Sequence, residues 1–337
     1  MKEPREETES ADPVTLEWVR LQPKAELHVH LLGAIRPETA LSIAEKNRIG
    51  FPVNRVEDWI PFFTKGDLAV FVGGFIALFE IIRTEEDFYR VAMEAAEDWS
   101  RDGVAYTEPR LTLTSHLDRG LSFETIFGGL DLARSEAKDR FGIEIRWIVD
   151  FPRILGVETG YRALDAAVRG IDRGVVGFDI AGYEGPYGTD SDWRRLFLEA
   201  RKRGLHVTAH SGEVGSAAHV RAAVESWNVE RIGHGVRAAE DESVMALLVE
   251  RGNPLEICTT CNVLLGNVPA ISDHPLELFR QRGIPVTLNT DDPSLFGISL
   301  SEEIFRAAQT FRWDREVVTG VIKNAWDHRF VGESESG

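Results

Sequence analysis

Lys24-Ala25-Glu26-Leu27-His28-Val29-His30-Leu31 alternates in polarity and carries two histidines, one residue apart, near its end. Alternation of this kind reads as a β-strand. At a rise of ~3.3 Å per residue, His28 and His30 share one face about 7 Å apart, close enough to hold one metal ion. A His-x-His pair is weak ground alone, since two half-buried histidines that only hydrogen-bond share the pattern. The weight falls on what the rest of the chain sets beside this strand.

Outward from it, strand-like and helix-like segments alternate along the 337 residues. Further strands are predicted at Val104–Leu111, Ile143–Val149, Val175–Ile180, Leu205–His210, Arg231–His234, Leu255–Cys258 and Val286–Thr290. Most are short and apolar, as strands covered on both faces are. Helices are predicted at Pro37–Lys46, Thr84–Ser100, Phe123–Arg140, Thr189–Arg203, Ala217–Ser226, Ala239–Arg251, Pro275–Arg282, Ser299–Phe311 and Arg315–Trp326. Arg203-Gly204, Arg251-Gly252 and Arg282-Gly283 end helices on glycine. Eight alternating strands predict an α/β fold, a (β/α)8 TIM barrel. A doubly wound sheet is second, because no Gly-x-Gly-x-x-Gly opens a first helix. Helices are inserted between the first two strands, among them Asp67–Ile82, where Leu68, Phe71, Val72 and Phe75 form an apolar stripe. Such a stripe is core packing or a lid over the barrel mouth.

Composition narrows the function. The formal charge is −17, from 55 acidic against 38 basic residues, and no Lys/Arg cluster suggests nucleic acid as partner. No run of ~18 apolar residues predicts a membrane span, and residues 1–13 lack the apolar stretch of an export signal. The expectation is a cytoplasmic protein: a flexible acidic leader over 1–15, one domain over 16–330, a flexible tail over 331–337. Self-association is left open. Cys258-Thr259-Thr260-Cys261 reads as two small residues closing a buried strand, since no second Cys/His pair completes a zinc site.

Barrel enzymes act at the carboxyl ends of their strands. There stand His28 and His30, then His210 followed by Ser211-Gly212-Glu213, then His234, then Asn289-Thr290-Asp291-Asp292-Pro293. Titratable groups at four strand ends on one rim point to a metal site. His28, His30, His210 and an aspartate suit Zn²⁺ with a position left for water. Glu213 is placed as general acid or base, and His234 to take or orient a water proton. Together they describe metal-assisted hydrolysis.

His28-Val29-His30-Leu31-Leu32-Gly33-Ala34-Ile35-Arg36-Pro37-Glu38-Thr39, His210-Ser211-Gly212-Glu213, Arg231-Ile232-Gly233-His234-Gly235 and Leu288-Asn289-Thr290-Asp291-Asp292-Pro293 resemble, in that order, the adenosine deaminase family. The resemblance runs from about Pro23 to Val321. It implies one zinc ion per chain and hydrolytic exchange of a purine 6-amino group for oxygen, with a purine nucleoside as the small-molecule partner. It makes His28, His30, His210 and Asp291 the metal ligands. It has Glu213 protonate purine N1, His234 hold and deprotonate the water, and Asp292 bond N7. Substrate would meet the Gly182 amide at N3, Asp292, His30, Leu32, and a gate of Leu68, Phe71 and Phe75.

Departures bear on substrate. Leu32 stands where the family usually keeps a polar or acidic residue for the ribose 5′-hydroxyl. An unsatisfied hydroxyl costs ~1–3 kcal/mol. The expected substrate is therefore adenosine, its hydroxyl met by water or another group, or a 5′-modified adenosine such as aminodeoxyfutalosine; adenine is a same-class alternative, and Ala181-Gly182-Tyr183-Glu184 leans toward a nucleoside. Arg146-Trp147-Ile148-Val149-Asp150-Phe151-Pro152 resembles the aminodeoxyfutalosine branch. Tyr183 follows Gly182 where an acid is common, and Thr259 and Cys261 replace a usual Pro and Ser.

Overall fold

The computed structural model describes residues 13–66, 68–185 and 191–330. The strands are β1 (Lys24–His30), β2 (Val104–Leu111), β3 (Glu144–Ile145), β4 (Trp147–Val149), β5 (Val175–Phe178), β6 (His206–Ser211), β7 (Arg231–His234), β8 (Leu255–Ile257) and β9 (Val286–Leu288). They pair in parallel in the order β1-β2-β4-β5-β6-β7-β8-β9, with β3 also on β2. β3 and β4 are the predicted third strand, interrupted at Arg146, whose N–H donates to Thr107 O at 3.0 Å. The sheet is the predicted (β/α)8 barrel, with helices outside it.

Closure runs through the loop after β9. Asp291 N donates to His28 O at 3.0 Å, and His30 N donates to Asp291 O at 2.7 Å. Strict alternation in β1 is broken between Glu26 and Val29. There the Leu27 and His28 amides both donate to Asn289 Oδ1, at 2.9 and 3.1 Å. This bulge is the kind that re-aims side chains at a barrel rim.

Helix boundaries follow their caps. Thr84 and Asp87 form a capping box that opens Glu85–Arg101, and Ser299 and Glu302 do so for Leu300–Phe311. The insertion between β1 and β2 holds Pro37–Asn47, Trp59–Phe63, Leu68–Ile81 and Glu85–Arg101. The predicted Ala239–Arg251 helix starts late, at Glu242, because Asp241 caps it after a 3-10 turn at Val236–Glu240. Gly156–Arg169 is the longest helix that the sequence did not predict. It opens without a side-chain cap, and Gly160 sits inside it because a Cβ there would lie 2.5 Å from Leu196. Leu16–Leu21 and Thr259–Leu264 are likewise unpredicted short helices.

Residues 1–12 of the predicted leader, the tail 331–337, Asp67, and Thr189 and Asp190 lie outside the described residues. Among the described residues no helix is long and apolar enough to cross a membrane.

The barrel interior carries charge. Arg110 bonds Asp179 at 2.7 Å and Glu256 at 2.5 Å. Arg231 bonds Glu256 at 2.6 Å and Glu108 at 2.5 Å. All five side chains are buried, so each charge depends on its partner.

Candidate active site

Four strand ends deliver the predicted residues to one point. Two of them, His234 (φ 62°) and Asp291 (φ 63°), hold the left-handed backbone that non-glycine residues avoid. Such strain costs on the order of 1–3 kcal/mol and gathers at functional sites. Neighbouring glycines make room: a Cβ on Gly33 would overlap Asp292, and one on Gly233 would lie 2.8 Å from His28 Cε1.

Ligand atoms of His28, His210, His234 and Asp291 all lie within 4.8 Å of one another. His30 joins through Asp291, its Nε2 3.3 Å from Oδ1. His28 Nδ1 bonds Glu256 Oε2 at 2.8 Å. His210 Nδ1 lies 3.0 Å from Asp179 Oδ2, close but off the hydrogen-bonding direction, and His30 Nδ1 lies 3.6 Å from Asp150 Oδ2. Carboxylates at Nδ1 put the proton there and leave Nε2 as a lone pair. Yet His28 Nε2 and His210 Nε2 face each other at 3.1 Å. Two lone pairs at that separation repel unless a cation lies between them. The donor set, imidazole nitrogens with one carboxylate, therefore fits a divalent metal ion. Burial pushes His210 down to about 3, which keeps it neutral. Burial opposes ionisation of Asp291, but His28 and His30 hold it well below the usual carboxyl range.

Glu213 and His234 stand beside this cluster. His234 Nε2 is 3.8 Å from both Glu213 Oε2 and Asp291 Oδ2. Burial, then the Asp291 and Glu184 charges, pushes Glu213 up to about 8, so it is a protonated acid at neutral pH. Sequence reading assigned Glu184 no part in positioning the acid. It accepts from the amides of Gly212 (2.7 Å), Glu213 (2.7 Å), Val214 (3.1 Å) and Gly215 (3.2 Å), fixing the loop that carries the acid. Asp292 is buried with Oδ1 unpartnered, and burial and Asp291 raise it well above the usual range.

The substrate side is apolar. Leu32, Phe75, Phe79 and His30 line a pocket of about 20 Å³, room for roughly one water. Phe75 meets the His30 ring edge-on at 5.9 Å between centroids, and Phe71 stacks on Phe296 at 5.7 Å. Leu68 opens this helix, but its side chain lies outside the described ones. Val72, predicted in the same stripe, is exposed. Gly182 lies exposed at the mouth with φ 83°, and Tyr183 beside it is also exposed. His206, His219 and His328 bond Glu230, Ser216 and the Asn324 carbonyl, away from the cluster. Cys258 and Cys261 are buried and form no disulfide.

Sequence reading missed the carboxylates that face the clustered histidines, Glu256, Asp179 and Asp150, and the loop clamp Glu184. Asp150 and Asp179 do stand at or just past predicted strand ends, the same signal that exposed the histidines.

The family model described as adenosine deaminase matches residues 23–336. An adenine deaminase of Pseudomonas putida is 32% identical over 316 residues, 94% of this chain and 99% of its own. One from Wolinella succinogenes is 31% identical over 324 residues, 96% of this chain and 97% of its own. The crystal structure of adenine deaminase from Arthrobacter aurescens superposes with a TM-score of 0.86 at 28% identity, covering 93% of this chain and 95% of that one.

Proposed function

The chain belongs to the adenosine deaminase family, and from that premise we propose a zinc-dependent aminohydrolase of 6-aminopurines that lack a free 5′-hydroxyl. The chemistry rests above all on the facing His28 and His210 Nε2 atoms beside a protonated Glu213. Held by His28, His30, His210 and Asp291, zinc would supply an activated water near neutral pH.

The chain's own residues do the rest. Glu213, opposite the metal ligands, gives its proton to N1 and makes C6 electrophilic. His234 holds the attacking water in line with C6. Asp292, with its unpartnered Oδ1 and raised affinity for a proton, donates to N7. Gly182 offers its amide to N3 from the loop after β5. As the C6–N bond breaks, the hydroxyl added at C6 gives its proton to the departing amine, and the proton first lost by the water restores Glu213, so the products are the 6-oxopurine and ammonia.

Leu32 carries the substrate assignment. It offers no hydrogen bond, so a 5′-hydroxyl delivered beside it stays unsatisfied. Adenine has no 5′ position to satisfy and asks for the least room, and its deaminases are the relatives compared above. A 5′-substituted adenosine is the second reading, favoured by the apolar lining of Leu32, Phe75 and Phe79. That substrate requires the Leu68–Ile81 helix to shift as a lid.

Comparing kcat/KM for adenine, adenosine, 5′-deoxyadenosine and aminodeoxyfutalosine tests the assignment. Adenosine is expected last or near last. Adenosine as the best substrate would remove the argument from Leu32.

A further inference from the structure

Three histidines of the cluster face a carboxylate at Nδ1, but His234 faces an amide. Its Nδ1 lies 3.1 Å from Asn262 Nδ2. On the far side, Asn262 Oδ1 lies 3.1 Å from His274 Nε2. His274 Nδ1 in turn accepts from the backbone N–H of Leu276 at 3.1 Å. These side chains are buried and the contacts run in one line.

A backbone amide can only donate, so it sets the direction of the whole line. His274 accepts at Nδ1, and as a neutral ring it must carry its proton on Nε2. Burial, and then His234 nearby, push His274 down to about 3, consistent with the neutral form. Its Nε2–H donates to Asn262 Oδ1, and the Asn262 amide then donates to His234 Nδ1. Turning Asn262 over would ask His274 to accept at both nitrogens, which neutral imidazole cannot do.

We infer that Leu276, His274 and Asn262 form a relay that fixes His234 as the Nε2–H tautomer, a hydrogen-bond donor to the reacting oxygen. The reading that this oxygen is the deaminating water rests on the function proposed above. With its proton on Nε2, His234 cannot ligate the metal through that atom, although it lies among the clustered ligand atoms. Nor can Nε2 accept the proton of the water it holds, as the sequence had led us to expect of His234. The 3.8 Å gaps from Nε2 to Glu213 Oε2 and Asp291 Oδ2 leave space for one bridging oxygen. Asn262 and His274 are positioning residues, acting only through His234.

The test is long-range ¹H–¹⁵N NMR on the zinc-loaded full chain labelled with ¹⁵N-histidine. The His234 signals are identified by their loss in His234→Gln. The relay predicts a protonated Nε2 and an unprotonated Nδ1; a protonated Nδ1 with bare Nε2 overturns it. Asn262→Asp can only accept, so it should move the proton to Nδ1. There kcat should fall about 10²-fold, the loss typical of one removed donor, with KM changed less than about twofold. His274→Gln, whose amide can still donate to Asn262, should keep the wild-type signature and most of kcat. Should Asn262→Asp fail to fold, the wild-type spectrum decides alone. A protein with the Nε2–H signature but no turnover of any 6-aminopurine would overturn the substrate assignment and leave the relay standing.

Discussion

In the proposed mechanism Glu213 is the single side chain that decides the rate, because a purine C6 resists attack until N1 carries a proton. Glu213→Gln keeps size and loop contacts but has no proton to give. It should retain stoichiometric metal and lose ~10²–10⁴-fold in kcat; metal analysis beside steady-state kinetics checks this, and wild-type kcat would reassign the acid. Because Glu213 acts in its protonated form and titrates at about 8, kcat/KM should fall as pH rises through that value. Selectivity in this proposal turns on Leu32. Leu32→Asp supplies the missing acceptor and should shift kcat/KM toward adenosine by roughly ten- to a hundredfold, the equivalent of ~1–3 kcal/mol. At this scale most of the candidate site was legible, since His28, His30, His210, His234 and Asp291 stand at strand ends. Their partners were not. Glu256 is an ordinary carboxylate inside a predicted strand, and only burial against His28 gives it a role; Asp179 carries the strand-end signal, but nothing in sequence pairs it with His210.

Loops and helices set how well those side chains hold position. The turn after β6 is held by one carboxylate, Glu184, on its amides. Glu184→Ala should leave the metal bound but let Glu213 drift. A displacement near 1 Å costs about 10²-fold in rate, so kcat should drop while metal content and fold, read by circular dichroism, stay put. Metal loss in parallel with activity would make the clamp merely structural. Helices with strong caps, such as Glu85–Arg101, were legible to within a residue or so. Gly156–Arg169 was not, because its two glycines and missing cap hide a helix that packing against Leu196 demands. The β1 bulge was also invisible, since it depends on Asn289, 261 positions downstream of His28.

Across the molecule, the barrel is both scaffold and electrostatic frame. Arg110 and Arg231 bind the carboxylates of Glu108, Asp179 and Glu256, two of which also face His28 and His210. Arg231→Leu strands Glu108 and half of Glu256 in the interior. It should lower unfolding free energy by about 3–5 kcal/mol, measurable by denaturant titration; a loss below about 1 kcal/mol would mean the charges rearrange freely. The eight-strand alternation made the barrel readable. Its closure was not, because Asp291 joins β1 through backbone bonds outside any regular strand. One residue thus closes the fold and is the carboxylate of the proposed metal site, tying site to architecture.

The central claim, metal-assisted deamination of a 6-aminopurine, meets its most direct test in ammonia release from adenine before chelation, after chelation, and after zinc is returned. The account predicts release that stops with the metal removed and recovers on its return. Undiminished release from metal-free protein would contradict it.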